Sequence, residues 1–221
     1  MAQTDVTLTQ RCLWMSHVLF QQCVAVIVTV ILSTVIVNLD INNIGTWHII
    51  LCTLGYAFFM AEAIVVFAKS SFITVSLKRK FHGYIHGVLM GCAIICVTIG
   101  ISLKIYQKST HFKSNHAITG LVSWILGLVA TFGGVAAANA IHFKSFIRPV
   151  WIKFFHNFLG IASYSIGMAS LALGLYKGSI KMYTQDETRT AMVWVIGILT
   201  VYSLLEAFKS LFFQIKNAIF K

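Results

Sequence analysis

Six long runs of apolar residues dominate the chain, and short polar segments separate them. The runs cover about residues 13–37, 46–67, 84–105, 116–138, 155–176 and 191–213. Each has about 20 residues, which is the length that an α-helix needs to cross the roughly 30 Å hydrocarbon core of a bilayer. A β-barrel would show alternating segments of about 10 residues, and these runs do not alternate. The pattern predicts an all-α membrane protein with six transmembrane helices in one domain, residues 1–221.

The amino-acid composition agrees with this prediction. Hydrophobic residues make up 58% of the 221 positions and charged residues only 10%, whereas a soluble globular domain has about 25% charged residues. An ordinary cytosolic enzyme is therefore excluded. The aromatic content of 13% also excludes a disordered chain, because such chains are poor in aromatic residues.

The net charge of +11 is best explained by membrane topology. Lys and Arg lie almost entirely between the apolar runs, as is typical of loops held beside anionic lipid on the cytosolic side. With helices of alternating direction, eleven basic residues share the side of the two chain termini and six lie on the other side. We expect both termini in the cytosol and no nucleic-acid partner.

Four of the eight histidines stand at the beginnings of the four central apolar runs. They are His48, His86, His116 and His156. Antiparallel neighbouring helices bring His48 and His116 to one membrane face, and His86 and His156 to the other. Each histidine alone could be a polar residue near the lipid headgroups, but together they form one pair at each face.

Small residues follow two of these histidines with the same spacing. From His116 and from His156 the chain reads His-x3-Gly-x2-Ser-x3-Gly-x6-Gly, which places these residues on nearly one face of a helix. Close helix packing in membranes uses such stripes, but a flat macrocycle held by His would also need a groove of small residues. The candidate groove residues are Gly55, Gly120, Gly127, Gly160 and Gly167.

A pair of histidines without carboxylate or cysteine partners suits haem b better than zinc, because a structural zinc site has four ligands. The chain contains no Cys-x-x-Cys-His sequence, so a covalent c-type haem is excluded. We predict two non-covalent haem b groups within a central four-helix bundle. His48 and His116 would hold one, and His86 and His156 the other. Bis-His iron has no open ligand position, which favours electron transfer.

Three stretches of the sequence resemble the cytochrome b561 family. They are Thr46-Trp47-His48, the Met-Ala-Glu-Ala-Ile-Val-Val-Phe sequence of residues 60–67, and Ser-Leu-Lys-Arg-Lys of residues 76–80 ahead of His86. The resemblance extends over about residues 14–213, and the four histidines match the haem ligands of the family. It is strongest for the subgroup called cytochrome b561 domain-containing protein 2.

This resemblance implies a homodimeric transmembrane reductase. Its electron donor would be cytosolic ascorbate, and its acceptor monodehydroascorbate or a ferric chelate on the opposite side. We expect an endomembrane, such as the endoplasmic reticulum or a vesicle, in preference to the plasma membrane. The sequence Lys113-Ser114-Asn115-His116 differs from the Ser-Leu-His-Ser-Trp stretch that better-studied members have near the non-cytosolic substrate site, so the identity of the acceptor stays open.

Basic residues precede both histidines of the predicted cytosolic pair. Such loop residues contribute to topology, and they are also placed to attract ascorbate, which is a monoanion at neutral pH. On the opposite face, Lys108, His111 and Lys113 are candidates for the acceptor side. The candidate donor residues are Lys78, Arg79, Lys80, Arg148 and Lys153.

Glu62 lies inside the second apolar run, where an acid is costly and normally faces the interior of the bundle. It is either a hydrogen-bonded structural carboxyl or a partner of the cytosolic haem site, such as a proton acceptor. The same residues allow a different class of function, a small proton-coupled carrier or channel that uses intramembrane His and Glu. Such a carrier would be colourless, so a visible spectrum separates the two.

Overall fold

Six long helices make up the computed structural model, which describes residues 7–220. All six are long and apolar enough to span a membrane, so the predicted all-α membrane fold is confirmed. Lys221, one of the basic residues counted for topology, lies outside the described residues. The helices are α1 (Leu8–Asn38), α2 (Ile44–Val65), α3 (Arg79–Gln107), α4 (Asn115–Ala138), α5 (Pro149–Gly174) and α6 (Asp186–Ile219).

Several helices begin before the apolar runs that predicted them. Helices α1, α3, α5 and α6 start five or six residues earlier than expected, and α6 continues to Ile219. The extra turns of α1, α3 and α6 are rich in polar or charged residues, whereas that of α5 is mostly apolar. A short helix, Gly178–Tyr183, lies between α5 and α6.

Helices α2, α3, α4 and α5 form a ring of four. The most extensive helix contact is between α4 and α5, and α2 packs along α3. Contacts of α3 with α4 and of α5 with α2 close the ring, while α1 and α6 pack on its outside and on each other. The predicted central bundle is therefore present, and all four paired histidines lie on its helices.

Local sequence fixes where three of these four helices begin. The Asn43 side chain accepts a hydrogen bond from the amide of Gly45 at 2.8 Å, and the Ser114 hydroxyl accepts one from Ala117 at 3.3 Å. Both are N-caps, which satisfy otherwise unpaired amides of the first turn. Pro149 opens α5, where its missing N–H costs nothing. These starts set the position of each histidine that follows.

Helix α2 is not α-helical throughout. A π-helical segment, Leu54–Met60, separates its α-helical parts, Ile44–Thr53 and Ala61–Val65. A π-helical turn contains more residues than an α-turn and is often found at functional sites. Gly55 lies in this segment against α3, where a Cβ atom would be 2.6 Å from the Val97 side chain. The segment thus allows α2 and α3 to approach closely.

Candidate functional site

The fold brings the four histidines together as two pairs. The ring centroids of His48 and His116 are 6.1 Å apart, with an interplanar angle of 81°. Those of His86 and His156 are 6.2 Å apart, with an angle of 89°. Each histidine lies near the start of its helix, and the helices of a pair enter the bundle from the same end. The two pairs therefore lie at opposite ends of the bundle.

Each of the four imidazoles is oriented by a hydrogen bond from its Nδ1. The acceptor is a backbone carbonyl, so Nδ1 carries the proton and Nε2 keeps a free lone pair. This arrangement is typical of metal-binding histidines, whose second nitrogen fixes the tautomer and the ring direction. The bonds, 2.8–2.9 Å long, run from His48 to Gly100, His86 to Ala63, His116 to Ser170 and His156 to Ala130.

The accepting carbonyls follow one rule of spacing along the helices. In three of the four bonds the carbonyl lies 14 residues past the histidine of its own helix: Gly100 after His86, Ser170 after His156, and Ala130 after His116. On α2 the spacing is 15, from His48 to Ala63. The π-helical segment lies between these two residues and accounts for the additional position.

The geometry of both pairs fits a metal ion held between two imidazoles. With metal–nitrogen bonds of about 2 Å on opposite sides, the ring centroids would be about 6 Å apart, as they are here. Within residues 7–220 no group of three or more His, Cys, Asp or Glu residues could hold a metal. Two ligands without further protein donors suit haem iron, whose porphyrin supplies the other nitrogens.

A cavity of about 510 Å³ adjoins the pair formed by His48 and His116. Its volume is in the usual range for cofactor pockets. Two predicted groove residues, Gly120 and Gly167, line it, together with Tyr56 of the π-helical segment. The volume of the cavity and its position beside this histidine pair are compatible with a bound macrocycle.

The other predicted groove glycines have different surroundings. A Cβ atom on Gly127 would be 3.0 Å from Ser163 Oγ, so Gly127 serves the contact between α4 and α5. Gly55 serves the contact between α2 and α3. Gly160, one turn after His156, faces open space, because a Cβ atom added there would have nothing within 4 Å.

The last glycine of each stripe lies against a histidine ring, although the sequence analysis did not include it among the candidate groove residues. A Cβ on Gly134 of α4 would be 3.0 Å from the His156 ring, and a Cβ on Gly174 of α5 would be 3.2 Å from the His116 ring. Each helix thus supplies one histidine and one glycine that accommodates the histidine of its neighbour. The repeated spacing from His to the last Gly was the available signal.

The candidate donor residues fall into two groups in the structure. Lys78, Arg79, Lys80 and Lys153 are exposed around the starts of α3 and α5. Arg148, also near the start of α5, donates from its two terminal nitrogens to carbonyls at the end of α6, those of Ala218 at 3.0 Å and Asn217 at 3.1 Å. Its side chain therefore joins two helix ends.

The opposite end of the bundle is also basic. Lys108, His111 and Lys113, the candidates for the acceptor side, line the cavity beside His48 and His116. Lys104 and Lys177 line it as well, and the sequence did not identify them. The cavity therefore combines an apolar interior with a cationic entrance.

Residues 47–181 match the family described as eukaryotic cytochrome b561. "Transmembrane reductase CYB561D2" of Homo sapiens is 31% identical over 142 residues, which are 61% of this chain and 62% of that protein. Its Bos taurus counterpart is 30% identical over 166 residues, 72% of this chain and 70% of that protein. "Probable transmembrane reductase CYB561D1" of Mus musculus is 28% identical over 145 residues, 61% of this chain and 60% of that protein.

The match to the human relative spans about three fifths of its length. The predicted family is nevertheless confirmed, because the family match covers more than half of this chain. The similarity to the human and bovine relatives confirms the predicted subgroup. It also includes all four paired histidines. The chain belongs to the eukaryotic cytochrome b561 family.

Proposed function

We propose that this protein is a transmembrane reductase that moves electrons from cytosolic ascorbate, through two haem b groups, to monodehydroascorbate or a ferric chelate on the opposite side. The observation that carries the proposal is the presence of two histidine pairs, each about 6 Å between ring centroids, at opposite ends of one bundle. The word "reductase" in the names of similar proteins supports the same class of reaction.

In this proposal His48 and His116 hold one haem, and His86 and His156 hold the other. The carbonyls that accept from Nδ1 keep each ring in position and leave Nε2 directed to the metal. A haem held by two histidines in this way would transfer single electrons and would not bind oxygen. The protein supplies the orientation and an apolar, water-poor surrounding.

The exposed basic residues near His86 and His156 are the proposed donor site. Lys78, Arg79, Lys80 and Lys153 would raise the local concentration of an anionic donor. Arg148 adds its charge to the same end while it caps α6. A reductant would therefore meet a positive surface beside the pair of His86 and His156.

The cationic entrance of the cavity beside His48 and His116 is the proposed acceptor site. Monodehydroascorbate is an anion, as are many ferric chelates, and both would be attracted by its lysines and His111. We extend the proposal to a homodimer in an endomembrane with both termini in the cytosol. The charge distribution between the two faces supports this orientation.

The test is the visible spectrum of the purified protein before and after addition of ascorbate. We expect the bands of low-spin haem b, which ascorbate reduces, and two haems per chain in a pyridine haemochrome assay. In sealed vesicles of known sidedness, ascorbate should act from the face of Lys78 and Lys80. A colourless protein would contradict the proposal and favour the proton-coupled carrier.

A further inference from the structure

Three buried polar atoms without hydrogen-bond partners lie along one line of contacts near the proposed cytosolic end. They are Oε2 of Glu62, Nδ1 of His17 and Oγ of Ser71. Glu62 is 3% exposed, and His17 and Ser71 are 0% exposed. A buried polar group without a partner costs free energy, and such groups commonly hold ordered water.

The side chain of Gln21 connects two members of this line. It lies near the Glu62 carboxyl, and its Nε2 is 3.4 Å from Nε2 of His17. The backbone amide of Phe72 donates to the same nitrogen of His17 at 3.2 Å. Nε2 of His17 is therefore an acceptor, so Nδ1 carries a proton and has no partner among residues 7–220.

The line runs from the pair of His86 and His156 towards the loop between α2 and α3. At its inner end, the residue after Glu62 is Ala63, whose carbonyl orients the His86 ring at 2.8 Å. At its outer end, Ser71 precedes Phe72 in that loop, which continues to the exposed Lys78. The contacts thus connect the surroundings of His86 with the same surface as the proposed donor site.

We propose that Glu62 is a proton-accepting site coupled to electron transfer at the His86–His156 pair, with Gln21, His17 and Ser71 forming its hydrated connection to the cytosolic loop. The proposal rests on the reductase function proposed above. When a haem held by His86 and His156 accepted one electron from ascorbate, one proton from the cytosolic solution would bind the Glu62 carboxylate, forming one O–H bond. When the electron leaves, that bond breaks and the proton returns.

The physical reason is the low dielectric of the membrane interior. A charge added there interacts strongly over several ångströms because little water screens it. A proton bound nearby offsets the added negative charge. An intramembrane acid with a free oxygen atom is the natural acceptor, since acids at such positions are costly and usually functional.

Other ionisable groups surround Glu62, and they define what a pH titration would report. His17 faces it through Gln21 from α1, and Tyr164 of α5 lies near it while bonding Ser203 of α6 at 3.2 Å. His86 approaches the backbone of the next residue from α3. Glu206 of α6 is paired with Lys209 and partly exposed, which makes it a suitable control.

Infrared difference spectroscopy of the reduced minus the oxidised protein tests the proposal directly. We expect the C=O stretching band of a protonated carboxylic acid to appear on reduction of the wild type. Glu62→Gln should abolish the band, and Glu206→Gln should retain it. Absence of the band in the wild type, or its persistence in Glu62→Gln, would overturn the proton site and leave the reductase function standing.

A second measurement uses the His116→Ala variant, which should keep only the haem of His86 and His156. Its midpoint potential should fall as pH rises, and the added Glu62→Gln substitution should remove most of this shift. If Glu62→Gln does not fold, Gln21→Leu is the alternative, because it keeps the Glu62 carboxyl and should shift its infrared band. An unshifted band would contradict the role of Gln21 in connecting Glu62 to His17. Wild-type protein without any haem would overturn both the proton site and the reductase function.

Discussion

The hydroxyl groups of Ser123 and Ser163 hydrogen-bond in opposite directions across one helix contact. Ser123 donates to the carbonyl of Ser163 at 2.7 Å, and Ser163 donates to the carbonyl of Ser123 at 2.9 Å. Both side chains are buried between α4 and α5. Since Ser123 uses its own proton in this exchange, the hydroxyl of Tyr56, 2.7 Å away, must be the donor to Ser123 Oγ.

Removal of the Ser123 hydroxyl should destabilise the bundle. Ser123→Ala leaves the carbonyl of Ser163 and the phenol of Tyr56 without their partner, and a buried unsatisfied group costs about 1–3 kcal/mol. A lower midpoint of thermal unfolding in detergent is expected. Ser33→Ala is the control, because Ser33 is exposed and bonds only to Val30 of its own helix. Equal midpoints for the two variants would contradict the role of the exchange.

A methyl group at position 167 should disrupt the centre of the bundle. The Cβ of Gly167→Ala would overlap the Tyr56 ring, and overpacking typically costs about 1–3 kcal/mol. Gly197→Ala is the matched change, because nothing lies within 4 Å of its added atom. It should be neutral or slightly stabilising, by up to about 1 kcal/mol. Thermal unfolding of both proteins, side by side, is the measurement.

His86→Ala should remove one of the two haems. We expect about half of the wild-type haem content by the pyridine haemochrome assay, because the pair of His48 and His116 is intact. His82→Ala is the control: His82 lies one turn earlier on α3, and its Nε2 is 3.4 Å from the carbonyl of Leu77. A similar loss of haem in both variants would contradict the assignment of His86.

Charge reversal at Lys80 should slow reduction by ascorbate. In the proposed donor site, the exposed Lys80 would help to attract an anionic donor, and salt screens such attraction over about 8 Å at physiological ionic strength. Lys80→Glu should therefore lower the reduction rate and weaken its dependence on salt, as stopped-flow absorbance would show. Lys181→Glu makes the same change on the opposite face and should have no effect. Equal effects of the two substitutions would exclude a donor site at Lys80.

The helices and the pairing of the histidines could be predicted from the sequence because each depends on a long, regular pattern. A span of about 20 apolar residues allows few structures in lipid, and antiparallel helices then bring His48 beside His116. The π-helical segment could not be predicted, since its residues are as apolar as their neighbours. The carbonyls of Gly100 and Ala63 carry no sequence signal, because every residue has one.

Arg148 shows a different limit of the sequence. Its position before α5 predicted a basic residue near an anionic donor, whereas the structure shows its guanidinium bonded to the end of α6. Only the placement of the start of α5 beside the end of α6, which are 70 positions apart in the chain, reveals that contact. Its proposed contribution to ascorbate binding stays a prediction.

The reciprocal contacts between α4 and α5 bear on the direction of the reaction. A two-fold rotation that reverses both helices would exchange His116 with His156 and Gly174 with Gly134. The contacts between histidine and glycine, and those between histidine and carbonyl, would then be nearly the same. The contacts within this helix pair therefore favour neither direction of electron transfer. The direction of electron transfer would then depend on the concentrations of reductant and oxidant on each side of the membrane. Reversing those concentrations would reverse the reaction.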